Sequence, residues 1–299
     1  MILALTGGTG FVGGHLIDQA LAKGHDVRAL ARRPQPAREG VTWIAGALDD
    51  AAALAALVEG ADAVVHVAGV VNAADRAGFV AGNVEGTRAV IAAATRAATR
   101  RFVHVSSLSA REPHLSDYGW SKAEAERLVE SSALAWTIVR PTGIYGPRDT
   151  EMRDMFRIAR YGLALLPPPG RVSVVAVEDL AELLLALAAT DGARTVYEVD
   201  DGGTGMTHAE LAHAIGAAVG RRVWPIHLPA PLLRVGAAID GRLRGSGAKL
   251  TADRARYLCH ADWTADPAKH PPPSLWTPRT LTPAGLAATA AWYRTHRLL

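Results

Sequence analysis

The sequence predicts an α/β fold in which a doubly wound parallel sheet is followed by a smaller C-terminal lobe. Short apolar or β-branched runs alternate with alanine-rich helical stretches, which is typical of repeated β-α-β units. The runs lack strict polar and apolar alternation, as expected of strands covered by helices on both faces. A glycine-rich turn directly follows the first run, and its position favours the same fold.

The order of the runs gives the domain organisation. Seven runs are predicted as strands: 2–6, 27–31, 41–45, 63–68, 102–106, 137–140 and 195–199. After about residue 200 the pattern predicts a helix over 207–219, a proline-rich connection around 225–231 and a final helix through Trp292. We therefore expect a first domain over 1–165, with 172–200 returning to it. The second lobe is expected over 201–299, together with the loop 142–171.

Composition excludes several classes of protein. The 299 residues contain 32 Lys and Arg against 29 Asp and Glu, a net charge of only +3, so no nucleic-acid partner is expected. Cys259 is the single cysteine, which excludes an internal disulfide and a cysteine-based metal site and favours a reducing, cytoplasmic location. The longest apolar run, 183–189, is far shorter than the roughly 18 residues of a membrane span, so no membrane partner is expected.

The glycine-rich turn predicts a dinucleotide site. Gly7 permits a tight turn, Gly10 lets the backbone approach a pyrophosphate, and Gly13 allows close packing of the helix on the strand. The N-terminus of that helix supplies amide donors and the positive end of its dipole. The sheet is therefore expected to be of the Rossmann type, and the residues expected at the cofactor are Thr6, Gly7, Thr9, Gly10, Phe11, Val12 and Gly13.

The end of the second predicted strand indicates which dinucleotide binds. An NAD-selective site usually has an acid there, which bonds the ribose hydroxyls. This chain has Ala31, followed by Arg32 and Arg33. A guanidinium can pair bidentately with a ribose-linked phosphate, so the sequence favours NADP(H), with Arg32 as the phosphate ligand and NAD(H) as the alternative. Two solvated surface arginines are the competing interpretation.

Tyr118, Lys122 and Ser107 form the candidate catalytic set. Tyr118 and Lys122 are four residues apart and so share one face of a helix. A phenol titrates near pH 10, and a neighbouring ammonium favours its ionised form, which acid/base work near neutrality requires. Ser107, after the fifth strand, is placed to donate a hydrogen bond to a substrate oxygen. Each feature alone is a common helix pair or cap, but together after a dinucleotide turn they predict catalysis.

Further segments follow in a fixed order along the chain. They are His66-Val67-Ala68-Gly69, Asn83-Val84-Glu85-Gly86-Thr87, Arg140-Pro141-Thr142-Gly143-Ile144-Tyr145-Gly146-Pro147 and Trp276-Thr277-Pro278. With the glycine turn and the Tyr-x-x-x-Lys pair, they resemble the short-chain dehydrogenase/reductase superfamily, specifically its extended branch of epimerases, dehydratases and reductases. The resemblance covers nearly the whole chain.

The resemblance implies a role for each residue of the candidate site. Tyr118 would be the general acid/base, Lys122 would assist its ionisation and bind the nicotinamide ribose, and Ser107 would polarise a carbonyl. Ser107 is preferred to Ser106 because the serine of the family follows another serine. Members of the family often dimerise through two helices, one of them bearing this tyrosine, so a homodimer is possible. The further cofactor contacts implied are Leu48, Ala68, Gly69, Asn83 and Pro141.

Two departures from the family pattern bear on the ligands. Ala47 stands where extended members usually have an acid that holds the adenine. Nucleotide-sugar enzymes of this branch commonly carry Arg-Asp-x-x-His-x-x-Asp, whereas this chain reads Val172-Ser173-Val174-Val175-Ala176-Val177-Glu178-Asp179, with an arginine only at 171. A buried diphosphate would therefore lack its charge partner. An apolar or aromatic substrate would suit a set of residues that could equally be core: Trp224, Leu232, Leu233 and Trp263.

Three functional hypotheses follow from these residues. The first is an NADP(H)-dependent oxidoreductase that interconverts a carbonyl and an alcohol in a small molecule, without a metal. The second is a nucleotide-sugar epimerase or dehydratase that holds NAD tightly. The third is a non-catalytic NADPH-binding subunit or redox sensor, because the segment 101–108 also resembles the Rossmann-type accessory subunit of respiratory complex I. The retained Tyr118 and Lys122 argue against the third hypothesis.

Overall fold

The computed structural model describes residues 1–191, 194–248 and 250–299, apart from the side chain of Ser246. The chain forms two compact units. Unit 1 consists of Met1–Arg140, Leu180–Glu198 and Pro271–Trp276. Unit 2 consists of Pro141–Asp179, Val199–His270 and Thr277–Leu299. The functional division into a cofactor domain and a substrate lobe stays a prediction.

The regular elements alternate between strands and helices through the first half of the chain. The strands are β1 Ile2–Thr6, β2 Asp26–Ala31, β3 Val41–Ala45, β4 Ala63–His66, β5 Arg101–Val105, β6 Trp136–Pro141, β7 Gly143–Tyr145, β8 Leu163–Leu166, β9 Arg171–Val172, β10 Val174–Ala176, β11 Thr195–Val199, β12 Met206–Thr207, β13 Trp224–His227 and β14 Asp262–Trp263. The α-helices are α1 Phe11–Ala22, α2 Ala51–Val58, α3 Arg76–Phe79, α4 Gly86–Arg96, α5 Asp117–Glu130, α6 Arg153–Ala159, α7 Val177–Ala189, α8 His208–Val219, α9 Ala230–Arg244, α10 Ala252–Leu258 and α11 Thr282–Thr295.

A seven-stranded sheet has the order β11-β6-β5-β4-β1-β2-β3. The pairs that join β1 to β6 are parallel. The order β3-β2-β1-β4-β5-β6 is that of the Rossmann fold. The chain adds strands towards one edge of the sheet from β1 to β3 and towards the other edge from β4 to β6, so the strand order reverses between β1 and β4. The predicted fold class is confirmed, and ligands of such sheets bind beyond the carboxyl ends of the strands at this reversal.

The core of unit 1 explains why its strands read as continuous apolar runs. Leu3 and Leu5 of β1 and all four residues of β4 are buried, since helices cover both faces of the sheet. β4 ends at His66, two residues earlier than the sequence predicts. The physical reason is local, because the amide of Ala68 donates to the side chain of Thr6 at 3.2 Å.

Unit 2 contains small sheets that the sequence does not reveal. β7 pairs with β10, β8 pairs with β13, and β9 lies between β12 and β14. The sequence predicts a proline-rich connection around 225–231, and this prediction is wrong for its first residues, because Trp224–His227 forms strand β13. The segment 142–171, predicted as a loop, contains β7, α6 and β8. Helix α8 forms as predicted, with Thr207 as its N-cap in a capping box with Glu210.

Among the residues described, no helix is long and apolar enough to cross a membrane.

Candidate active site

The glycine turn between β1 and α1 has the geometry of an anion cradle. Gly7 has φ +77°, and a Cβ on Gly13 would lie 2.1 Å from the carbonyl oxygen of Gly7, so neither position tolerates a side chain. Gly10 is the N-cap of α1 and brings no side-chain cap, and the first turn of α1 carries no acid. The amides and dipole of this helix end are therefore left for a ligand such as a pyrophosphate.

The predicted cofactor residues of this turn differ in accessibility. Thr9 and Gly10 are exposed, whereas Thr6 and Val12 are buried. The hydroxyl of Thr6 lies 2.6 Å from Nδ1 of His66, and its oxygen accepts a hydrogen bond from the amide of Ala68. The side chain of Thr6 thus ties the ends of β1 and β4 together, which makes it a support of the turn.

Arg32 lies at the same edge of the sheet as the glycine turn. Ala29 pairs with Leu5, so Arg32 and Gly7 each follow their strand by a similar distance. Arg32 and Arg33 are both exposed, and neither has a carboxylate partner within the described chain. Leu48 packs against the start of α4, where a Cβ on Gly86 would lie 2.6 Å from its Cδ1. Pro141 is buried as the last residue of β6.

Gly69, Asn83 and Lys122 converge beyond the end of β4. A Cβ built on Gly69 would lie 3.1 Å from Oδ1 of Asn83 and 3.7 Å from Nζ of Lys122. Asn83 lies in a π-helical segment, Val80–Glu85, that connects α3 with α4. Such segments are often found at functional sites because they redirect a side chain out of the α-helical register.

Asn83 is held by hydrogen bonds on both sides of its amide. Its Oδ1 accepts from the amide of Val70 at 2.6 Å, and its Nδ2 donates to the carbonyl of Val70 and to Oγ of Ser121, both at 2.9 Å. Ser121 in turn donates to the carbonyl of Tyr118 at 2.7 Å. The segment after β4 is thereby connected to the helix that carries Tyr118. Ser121 was missed by the sequence reasoning, although its place beside Lys122 is a signal.

Lys122 is a buried ammonium at the carboxyl edge of the sheet. Its side chain is on α5, is 5% exposed, and donates to the carbonyl of Val105 at 2.8 Å. Burial lowers the pKa of Lys122 from 10.5 to about 8, while the charge of Glu126 acts in the opposite direction. The group is therefore positively charged below pH 8, and its position beside Gly69 and Asn83 suits a ribose or a phenolate.

Two buried histidines lie beneath the same edge. His66 and His104 pair across β4 and β5, with ring centroids 5.3 Å apart. Burial and the charge of Lys122 lower the pKa of His66 to about 3 and that of His104 in the same direction. Both rings are therefore neutral near pH 7. The sequence reasoning gave neither ring a role, because only the register of the sheet brings them together.

Tyr118 and Lys122 lie on one helix, as the sequence predicts. Helix α5 begins at Asp117, and its N-cap Ser116 accepts the amide of Gly119 at 2.9 Å. Tyr118 is half-buried, and its ring centroid lies 6.1 Å from that of Phe79. The start of the helix is thus fixed by its cap and by packing against α3.

The two serines after β5 have different surroundings. Ser106 is buried and donates to Oε1 of Glu126. Ser107 is half-buried and accepts hydrogen bonds from the amide and hydroxyl of Ser109 at 3.2 and 2.9 Å. Ser107 can still donate its own hydroxyl hydrogen, whereas that of Ser106 is already used. The geometry favours Ser107 as the substrate-facing serine.

A buried ion network joins α5 to strands β6 and β11 of the sheet. Glu126, one turn after Lys122, accepts from Nε and Nη2 of Arg140 on β6 at 2.9 and 2.6 Å. Arg140 also lies 3.5 Å from Glu198 on β11, which lies 3.5 Å from Arg111. Bidentate pairing satisfies these buried charges and fixes α5 against the sheet. This network depends on tertiary contacts and was not predicted.

Comparisons with known proteins show the family to which this chain belongs. Residues 7–191 match the family described as NAD(P)H-binding. A ceramide reductase of Caulobacter vibrioides is 36% identical over 302 residues, covering 98% of this chain and 94% of that protein. A 4-hydroxy-2-methyl-3-oxo-4-farnesyl-3,4-dihydroquinoline-1-oxide ketoreductase of Stigmatella aurantiaca is 32% identical over 228 residues, covering 66% of this chain and 67% of that protein.

A solved structure shows the same fold. The human epimerase family protein SDR39U1, determined with NADPH, superposes with a TM-score of 0.76 at 21% identity, covering 97% of this chain and 99% of that chain. The fold and the comparisons define an NAD(P)-dependent oxidoreductase of the extended short-chain dehydrogenase/reductase type. Within that type, the chain belongs to the NAD(P)H-binding family.

Proposed function

We propose that this protein is an NADP(H)-dependent reductase that interconverts a ketone or aldehyde and the corresponding alcohol. The observation that carries the proposal is the buried ammonium of Lys122 beside Gly69 and Asn83, on the same helix as Tyr118. Burying a charge is expensive, so an ammonium that is only 5% exposed points to a functional role.

The residues divide the work of reduction. When bound, NADPH would supply the hydride to the carbonyl carbon. Ser107 donates a hydrogen bond to the carbonyl oxygen, and Tyr118 gives that oxygen its proton as charge develops. The positive charge of Lys122 then stabilises the phenolate left on Tyr118 until water returns the proton. In the direction of oxidation the same groups act in reverse.

We further propose that the substrate carries its carbonyl on a long apolar or lipid-like molecule. The ceramide reductase and the farnesyl-dihydroquinoline oxide ketoreductase supply the main support, because both names describe substrates with long hydrocarbon parts. Val172 stands where nucleotide-sugar enzymes of this branch carry the diphosphate-binding arginine, which argues against a nucleotide sugar. Of the residues predicted to suit such a substrate, Leu233 and Trp263 are buried, while Trp224 and Leu232 are exposed.

We propose NADP(H) as the preferred cofactor on the strength of Arg32. Its guanidinium follows β2 at the edge that carries the glycine turn, and it is exposed and without a carboxylate partner among the described residues. A 2′-phosphate would provide a bidentate anionic partner there. NAD(H), which lacks that phosphate, would gain nothing from this arginine.

The test measures oxidation of NADPH and of NADH by the purified protein. The substrates are an N-acyl 3-ketosphinganine in detergent micelles and ethyl acetoacetate as a small soluble ketone. We expect faster oxidation of NADPH than of NADH and a higher kcat/KM with the lipid ketone. Tight binding of UDP-glucose without net oxidation of NADPH would instead favour an epimerase. Binding of NADPH with no turnover on any carbonyl compound would favour a sensor.

A further inference from the structure

Helix α9 of unit 2 carries an exposed apolar stripe. Leu232, Val235, Ile239 and Leu243 follow helical spacing, so they share one face, and their exposed fractions run from 52% to 79%. The opposite face is packed, because Leu233 and Ala237 are buried against Ala255 of α10. A helix that is apolar on both its packed and its outer face is unusual in water.

The two-stranded sheet just before α9 has an exposed apolar face as well. Leu163 pairs with Trp224 and Leu165 with Ile226. These four side chains are 42% to 67% exposed, whereas Leu166 on the other face is buried in the core. The eight side chains of the stripe and of this face are called the apolar surface below.

The segments that bear the apolar surface are strongly basic. Residues 160–166 and 221–244 contain six arginines and one acid, Asp240, which pairs with Arg244 at 3.2 Å. Their net charge of +5 exceeds the +3 of the whole chain. Arg234 and Arg242 on α9 are exposed and have no carboxylate partner in the described part of the chain. Apolar side chains flanked by arginine are typical of helices that lie in a bilayer interface.

Aromatic residues add to this interfacial character. Trp224 is 67% exposed with the guanidinium of Arg222 5.8 Å from its ring centroid, and Tyr161 is 81% exposed. Tryptophan and tyrosine favour the headgroup level of a membrane, where an apolar ring and a polar edge are both satisfied.

We propose that the apolar surface docks unit 2 on an anionic lipid bilayer. The stripe of α9 would insert into the boundary between headgroups and acyl chains, and the arginines would bind lipid phosphates. Charge decides the occupant, because a second copy of this chain would oppose +5 with +5, whereas an anionic membrane complements it. The expectation of no membrane partner was based on the absence of an apolar run long enough to span a bilayer, and a helix that lies on the membrane surface needs no such run. The docking proposal depends on the exposed side chains and not on the proposed function. If the substrate is a lipid, docking would bring it to the enzyme.

Vesicle co-sedimentation tests the proposal. The full-length protein is mixed with vesicles of phosphatidylcholine alone or with 30% phosphatidylglycerol, at low and high salt. We expect partitioning onto the anionic vesicles that weakens with salt. The double variant Val235→Gln/Ile239→Gln, called the stripe variant, should partition at least tenfold less, since two branched aliphatic side chains no longer enter the bilayer. Arg234→Gln/Arg242→Gln should lose about fivefold per arginine, on anionic vesicles only.

Matched controls separate docking from general damage. Leu281 is a 75% exposed leucine of unit 2 outside the apolar surface, and Leu281→Gln should partition as the wild type does. Arg96→Gln, on α4, controls for the loss of a positive charge. Absence of binding to anionic vesicles at low salt, or equal binding by the stripe variant, would overturn the proposal. So would a wild-type dimer, seen by light scattering, that the stripe variant converts to a monomer.

The enzymatic proposal is tested separately from docking. The stripe variant should reduce ethyl acetoacetate within twofold of the wild-type rate, because its substitutions lie outside the candidate active site. Vesicle binding needs neither cofactor nor substrate, so it remains measurable if the proposed reductase activity fails.

Discussion

Replacing Lys122 with methionine should stabilise the protein near pH 7 while abolishing turnover. Methionine keeps the length and volume of the side chain but removes the charge. Burial lowers the pKa of Lys122 from 10.5 to about 8, a difference of about 2.5, and each unit corresponds to about 1.4 kcal/mol. Holding the ammonium in the folded protein at pH 7 therefore costs about 3 kcal/mol. Loss of the hydrogen bond to Val105 offsets about 1 kcal/mol, which leaves a net gain of about 2 kcal/mol.

The sign of the pH dependence follows from proton linkage. Between pH 8 and pH 10.5 the unfolded chain holds the proton of Lys122 more strongly than the folded protein does. The stability of the wild type therefore rises with pH over that window relative to the variant. The advantage of Lys122→Met should be full below pH 8 and fall by about 2.5 kcal/mol between pH 7 and pH 10.

Urea unfolding at pH 7 and pH 10, followed by tryptophan fluorescence, measures both effects. Lys23→Met is the control for the loss of a lysine charge, since Lys23 is exposed. The reasoning would be refuted if Lys122→Met were less stable than the wild type at pH 7. It would also be refuted if the substitution changed the free energy of unfolding by the same amount at pH 7 and at pH 10. Turnover of the same variant with NADPH should be lost, since the proposed support of Tyr118 is removed.

Other substitutions test separate parts of the site. Gly13→Ala places a Cβ 2.1 Å from the carbonyl oxygen of Gly7, so calorimetry should show at least a hundredfold weaker NADPH binding, and unchanged affinity would contradict the cradle. Arg32→Ala should raise the KM for NADPH about 10- to 100-fold and leave that for NADH within twofold, whereas Arg33→Ala serves as the neighbouring control. Glu126→Gln should lower the free energy of unfolding by about 3 kcal/mol, because Arg140 keeps its buried charge but loses its bidentate partner. An unchanged urea midpoint for Glu126→Gln would show that the network contributes little.

The sequence predicted the central sheet well because its strands are defined by local signals. Each is a continuous apolar run bounded by glycine or by a helical pattern, as at β1 and β4. The strands of unit 2 carry no such signal. β8 and β13 are four residues each and pair about 60 residues apart, and Pro225 within β13 is typical of a connection. Proline is tolerated there because β13 has β8 as its only neighbour in the described sheet.

The candidate site was predictable where residues recur at fixed spacing. The glycine turn and the pair Tyr118 and Lys122 are of this kind, and the structure places them on the predicted turn and helix. Supporting residues depend on register and packing, which no local pattern reports. His66 meets His104 across two strands, and Glu126 meets Arg140 across a helix and a strand. The π-helical segment around Asn83 was likewise hidden, since its sequence is compatible with an ordinary α-helix.

Turnover by Tyr118→Phe tests the central claim most directly. The phenylalanine ring keeps the packing against Phe79 and removes only the hydroxyl that is proposed to transfer the proton. Tyr161→Phe is the matched control, because Tyr161 is exposed in unit 2. We expect kcat for carbonyl reduction by NADPH to fall 10²- to 10⁴-fold in Tyr118→Phe while NADPH binding stays within threefold. Full turnover by that variant would contradict the assignment of Tyr118 as the acid/base of this enzyme.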